Sequence, residues 1–205
     1  MPVEEEGITV MVVQQQWQEL ALPTPVNLFV LAEATPDNGL LAQMEFHQVA
    51  HRALWRLENQ PELAQYAPYL IDMKECPAFE RWFGQQAADL AFTTLNSGLT
   101  FDPLWQHLRR CTKFADAHED RYYFLRIGNA AMLHLYLSSI TDQPQNVSRL
   151  FAEGRVNGLL FQHQATELLM YCHPLFKHDT YGKGQEEGCL LWHDLMYDRL
   201  SKGAV

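Results

Sequence analysis

His47 and His51 stand four residues apart in a segment with helical periodicity, a spacing that lets two imidazoles share one face. A zinc-protease helix needs a Glu directly after the first His to serve as base, and Gln48 occupies that place. Two histidines without a third ligand make a poor metal site. Cys172, His173, His178, Cys189 and His193 crowd the C-terminal third, and their types would suit zinc. The short Cys-x-x-Cys knuckle of a structural zinc site is missing, and buried thiols acting as small apolar groups account for Cys172 and Cys189.

Two further patterns imitate chemistry. Gly182, Gly184 and Gly188 come within one residue of a dinucleotide-fingerprint spacing, but His178-Asp179-Thr180-Tyr181 before them is no buried strand, so a mobile loop is the better reading. Ser97 lies between a strand and a helix, as a nucleophile elbow would. Its flanks read Leu95-Asn96-Ser97-Gly98-Leu99 rather than Gly-x-Ser-x-Gly, which is ordinary turn and cap material. Arg126, by contrast, sits in an aromatic and aliphatic strand and needs a partner there. Glu33, at the end of the first strand, is a conceivable mate.

The elements that would position these residues alternate between strand and helix. Asn27–Ala32 reads as a buried strand, followed by turn chemistry at 36–39 and a helix to about Glu58 that buries Phe46, Ala50, Ala53, Leu54 and Leu57. Ala67–Met73 is a second strand, and Pro77 suits the first position of a helix carrying Phe79, Trp82 and Phe83. Ala91–Leu95 precedes a helix opened by Thr100. Its Asp102 near the start and its Arg109, Arg110 and Lys113 near the end complement the helix dipole. Arg121–Ile127 is a strand covered on both faces, Ala130–Leu137 a buried helix, and Val156–Gln162 a last strand.

This alternation predicts an α/β fold, with a mostly parallel sheet flanked by helices and a helical C-terminal segment through Trp192, Met196 and Leu200. The expected division is an N-terminal extension over 1–26, an α/β domain over 27–162 and the helical segment over 163–205. With 205 residues, 47% of them hydrophobic, there is ample material for one core. Five Trp and eleven Phe leave aromatics for a protein interface. Fifteen Lys and Arg against 25 Asp and Glu give a formal charge of −10, which argues against nucleic acid as a partner. The start, MPVEEEGITV, has neither a basic nor an apolar leader region, and no apolar run is long enough for a membrane span. A cytoplasmic protein with reduced thiols is the expectation.

Leu31-Ala32-Glu33-Ala34, Pro68-Tyr69-Leu70, Leu95-Asn96-Ser97, His107-Leu108-Arg109-Arg110 and Phe124-Leu125-Arg126 stand in an order and spacing that resembles the bacterial type VI secretion effector chaperones, also called adaptor proteins. The resemblance spans about Leu28 to Phe161. Where that family often ends its first strand in Asp, this chain has Glu33. In place of an aromatic and an Asp-Pro pair after the Arg it has Ile127-Gly128-Asn129. The resemblance implies a non-enzymatic adaptor without cofactor, which binds a secreted effector and helps load it onto a VgrG-type spike protein. Glu33 and Arg126, together with Trp192, Met196 and Tyr197 beyond the main fold, are the candidate partner-binding residues. The rival expectation is a metal-assisted hydrolase using the His- and Cys-rich tail.

Overall fold

A computed structural model describes residues 12–86, 90–115, 122–163, 168–176 and 186–195. Seven strands form the main sheet: β1 (Asn27–Glu33), β2 (Ala50–Ala53), β3 (Pro68–Asp72), β4 (Phe92–Ser97), β7 (Val156–His163), β8 (Leu168–Pro174) and β9 (Leu190–Asp194). Their order is β2-β3-β1-β4-β7-β8-β9. A separate two-stranded sheet pairs β5 (Lys113–Ala115) with β6 (Tyr122–Phe124). The helices are α1 (Val12–Glu19), α2 (Leu40–Phe46), α3 (Pro77–Gln86), α4 (Phe101–Arg110), α5 (Ala130–Ser139) and α6 (Pro144–Leu150).

Every pairing in the main sheet is antiparallel, which overturns the mostly parallel sheet expected from the alternation. The reason lies in who occupies the middle. β3 and β4 do run in the same direction and are joined by α3, as a strand–helix–strand unit requires. But β1 fills the slot between them and pairs with both, Val30 facing Ile71 on one side and Thr94 on the other. A helical connection reports that two strands share a direction; it does not report that they touch.

The expected helical C-terminal segment is corrected over its described part, where β8 and β9 extend the sheet instead; Leu200, like the rest of 196–205, lies outside the described residues. Leu169 and Tyr171 face one side while Cys172 faces the other, a period of two rather than 3.6. The helix drawn to Glu58 stops at Phe46. Gln48 adopts φ 54°, a left-handed conformation that reverses the chain into β2 and leaves Phe46 79% exposed. Arg121–Ile127 contributes only the short β6, outside the main sheet. The apolar α5 buries Ala130, Leu133 and Leu137 but leaves Met132 and Leu135 at the surface.

Side-chain alternation on β1 builds three layers. Phe29 and Leu31 join the core beneath α4, α5 and α6, whereas Val30 and Ala32 pack with Leu40, Met44, Phe79 and Phe83 of α2 and α3. Trp17 of α1 closes a third cluster with Leu160, Leu169 and Tyr171 over β7 and β8.

Glu80 of α3 is buried and accepts the backbone N–H of Val13 at the start of α1, one of the donors a helix leaves unpaired. Burial pushes its carboxyl above the ordinary value of 4.5, and the Val13 bond only partly opposes that. A carboxyl raised on folding gives stability that is fully present below its unfolded pKa and is lost as pH rises through its folded pKa. Stability should therefore decline as pH rises above the ordinary carboxylate range, and Glu80→Gln should flatten that slope. Urea denaturation across a pH series measures both.

Candidate functional site

Glu33 closes β1, and its position is fixed by the turn that follows. Asn38 Nδ2 donates to the Glu33 carbonyl at 2.9 Å, while Asn38 Oδ1 accepts the N–H groups of Thr35 and Leu40. Arg126 lies in the turn between β6 and α5, where the Asn129 N–H donates to the Arg126 carbonyl at 2.9 Å. Asn129 then caps α5 by accepting from the Met132 N–H. The two candidate residues, 93 positions apart, meet in a two-pronged ion pair: Arg126 Nε donates to Glu33 Oε1 at 3.0 Å and Nη2 donates to Oε2. The Glu33 side chain is 9% exposed and that of Arg126 54%, so the carboxylate is the buried anchor and the guanidinium still faces solvent. Hydrogen bonding to Glu33 raises the Arg126 pKa further, keeping the guanidinium charged.

Arg126 stands on the rim of an open groove of about 1150 Å³, bounded by the 54–63 segment, α4, β5 and β6. Trp55, Trp105 and Phe124 supply its aromatic wall, with Trp55 and Phe124 edge to face at 6.3 Å. Trp105 is held by its Nε1, which donates to the Ala53 carbonyl at 2.8 Å. The Arg52 and Arg109 guanidinium carbons each lie 5.0 Å from its ring centroid, and Arg52 also pairs with Asp102 at 3.0 Å. Lys113 Nζ sits 5.3 Å from the Phe124 ring. Phe124 itself is 56% exposed.

The second wall tryptophan differs from the first. Trp55 Nε1 is buried and meets no hydrogen-bond partner among the described residues, an arrangement that costs roughly 1–3 kcal/mol. Trp55→Phe removes that unmet donor along with some ring area, so it should change stability by less than about 1 kcal/mol. Trp105→Phe strands the Ala53 carbonyl and should cost about 1 kcal/mol more. Urea melts of the two variants give the comparison.

The remaining sequence candidates lie elsewhere. Trp192 is on β9, where its Nε1 donates to Thr141 Oγ1 at 3.0 Å and its ring packs on His134 and Phe161. Met196 and Tyr197 lie outside the described residues, as does His178. His173 and His193 approach to 3.3 Å through their Nε2 atoms on one face of β8 and β9. Cys172 points to the opposite face, fully buried, its thiol pushed well above its ordinary pKa by burial. Among the described residues no three His, Cys, Asp or Glu side chains converge as a metal site would need. His47 caps the end of α2, while His51 lies on β2 with Nδ1 donating to the Val49 carbonyl at 2.8 Å, so the pair does not share a helix face. Ser97 is fully buried. Its hydroxyl donates to the Arg155 carbonyl and accepts from the Leu99 N–H, which fixes the turn into α4.

Sequence reasoning found the ion pair but not the groove. Phe124 reads as part of a strand covered on both faces, and Arg109, Arg110 and Lys113 as dipole complements, so nothing local joins them into one surface. The fold gathers a third of the fifteen basic residues (Arg56, Arg109, Arg110, Lys113 and Arg126) on this one surface.

Fold and site together define a three-layer α/β/α protein with a central antiparallel sheet and an open groove that joins aromatic rings to cations. The chain belongs to the family described as a domain of unknown function, DUF4123, whose model matches residues 28–146, more than half its length. No curated protein and no solved structure matches it. Both the Glu33–Arg126 pair and the whole groove fall within the matched segment. Among the described residues, no helix is long and apolar enough to cross a membrane.

Proposed function

We propose that this chain is a non-enzymatic adaptor that binds a type VI secretion effector in the cytoplasm and helps load it onto a VgrG-type spike protein. The observation that carries this reading is the groove, which is open to solvent. It offers rigid aromatic area and arginines, the residue types that dominate protein-binding hot spots. Membership of the DUF4123 family supports it, since the motifs shared with type VI effector chaperones fall largely within the matched segment. Exposed Met132 and Leu135 on α5 offer a second apolar surface, so that one protein could hold effector and spike at once. The mechanism is mass action: binding favours the loading-competent form of the effector in proportion to the adaptor's affinity for it.

The test is co-expression of the chain with an effector and a spike protein encoded beside it, followed by purification through the spike. The effector should co-purify with the spike only when the chain is present. Equal recovery without the chain would refute the reading.

A further inference from the structure

The groove's chemistry points to the kind of segment it takes. It carries five basic side chains on a protein whose formal charge is −10, and none of its lining residues among those described is an Asp or Glu. Among the described residues no carboxylate pairs with Arg56, Arg109 or Arg110. The Arg109 guanidinium lies over the Trp105 ring. Arg126 has one face held by the buried Glu33 and the other open to solvent. Between these cations Leu54, Leu63 and the three rings form apolar wall. Apolar lining flanked by Arg56, Arg109 and Arg110 selects an apolar anchor with neighbouring carboxylates, through steering at long range and paired guanidiniums at contact.

We propose that this groove docks an acidic segment of a partner protein bearing at least one large apolar side chain. The proposal rests on the adaptor reading for the partner's identity but not for the chemistry. A nucleic acid fits less well, because the excess of carboxylates over the rest of the chain would repel an extended phosphate backbone. The fixed Trp105 and the exposed Phe124 supply preformed apolar contacts, so little ordering of the groove is needed on binding.

Fluorescence anisotropy on the purified full chain tests this with four labelled probes. They are a short Glu/Asp-rich peptide with a central Phe-Leu pair, the same peptide with Lys for each acid, the acidic peptide with Ser for Phe-Leu, and a single-stranded oligonucleotide of equal length. The acidic Phe-Leu peptide should bind, and about tenfold more weakly after Arg110→Gln combined with Arg56→Gln, or after Phe124→Ala. Those side chains are exposed, so the variants should keep the native circular dichroism spectrum and melting point. Arg81→Gln on α3, outside the groove, should leave binding unchanged. Equal binding of the acidic and basic peptides, indifference to the groove variants, or a preference for the oligonucleotide would each overturn the proposal. Failure of the adaptor reading shows separately: the peptide still binds while effector and spike co-purify without the chain. Conversely, groove variants that still bridge effector and spike refute the docking site and leave the adaptor.

Discussion

Trp17→Ala should lower the stability of this protein by about 3–5 kcal/mol, the loss expected when a fully buried indole is truncated. That is a large fraction of the roughly 5–15 kcal/mol available to an ordinary domain. Trp17 seats α1 on the far half of the sheet. Its ring meets Tyr171 edge to face at 5.6 Å and packs with Leu160 and Leu169, so its removal opens a cavity over β7 and β8. Its Nε1 also donates to the Pro23 carbonyl at 2.7 Å, folding the chain back toward β1. Trp17→Phe keeps most of the ring and loses that bond, so it should cost a smaller amount, about 1–2 kcal/mol. Chemical denaturation distinguishes the two, and near-equal midpoints would show that α1 contributes little.

Gly128→Ala is the second large effect, and it reaches the candidate site. A Cβ at this position would stand 2.7 Å from Pro68 Cβ and 2.9 Å from the Ala32 carbonyl oxygen, closer than real Cβ contacts come. Pro68 and Ala32 belong to paired central strands and cannot yield, so the turn carrying Arg126 must move away from β1. Overpacking of this kind costs about 1–3 kcal/mol. In a chain of this length that is a fall of roughly 2–12 °C in melting temperature. The same displacement pulls Arg126 off Glu33, leaving a mostly buried carboxylate unpaired. The variant should therefore bind an acidic peptide more weakly than the melting shift alone explains. Scanning calorimetry with anisotropy at a temperature where both proteins are folded separates the two losses.

What could be read in the residues, and what could not, follows from how local each signal is. β1, β3 and β4 are short apolar runs bounded by turn residues, and α4 and α5 follow Thr100 and Asn129 at their caps, so these elements announce themselves within ten or so residues. The Glu33–Arg126 pair was legible for another reason: a guanidinium among aromatics demands a carboxylate, and few stood at a strand end. Strand direction was not legible, because the same β3–α3–β4 pattern serves whether the two strands touch or admit β1 between them. β8 and β9 were lost because Trp192 and its neighbours also fit a helical spacing, and only pairing with β7 decides between the two. The groove draws on segments near 55, 105 and 125, and its chemistry emerges only when the fold brings them together.

The placement of β4 has a bearing on how the polypeptide is made. Phe92 pairs with Gln162, seventy positions later, so while a ribosome synthesises α4 to α6 one side of β4 has no mate. A fragment ending at residue 146 would keep that vulnerability permanently, since Leu159 and Phe161 would never arrive to cover the layer beneath α5. Excising the groove-bearing portion alone should thus yield aggregates rather than a soluble miniature. The nascent chain, by the same logic, stays sticky until its last third has emerged.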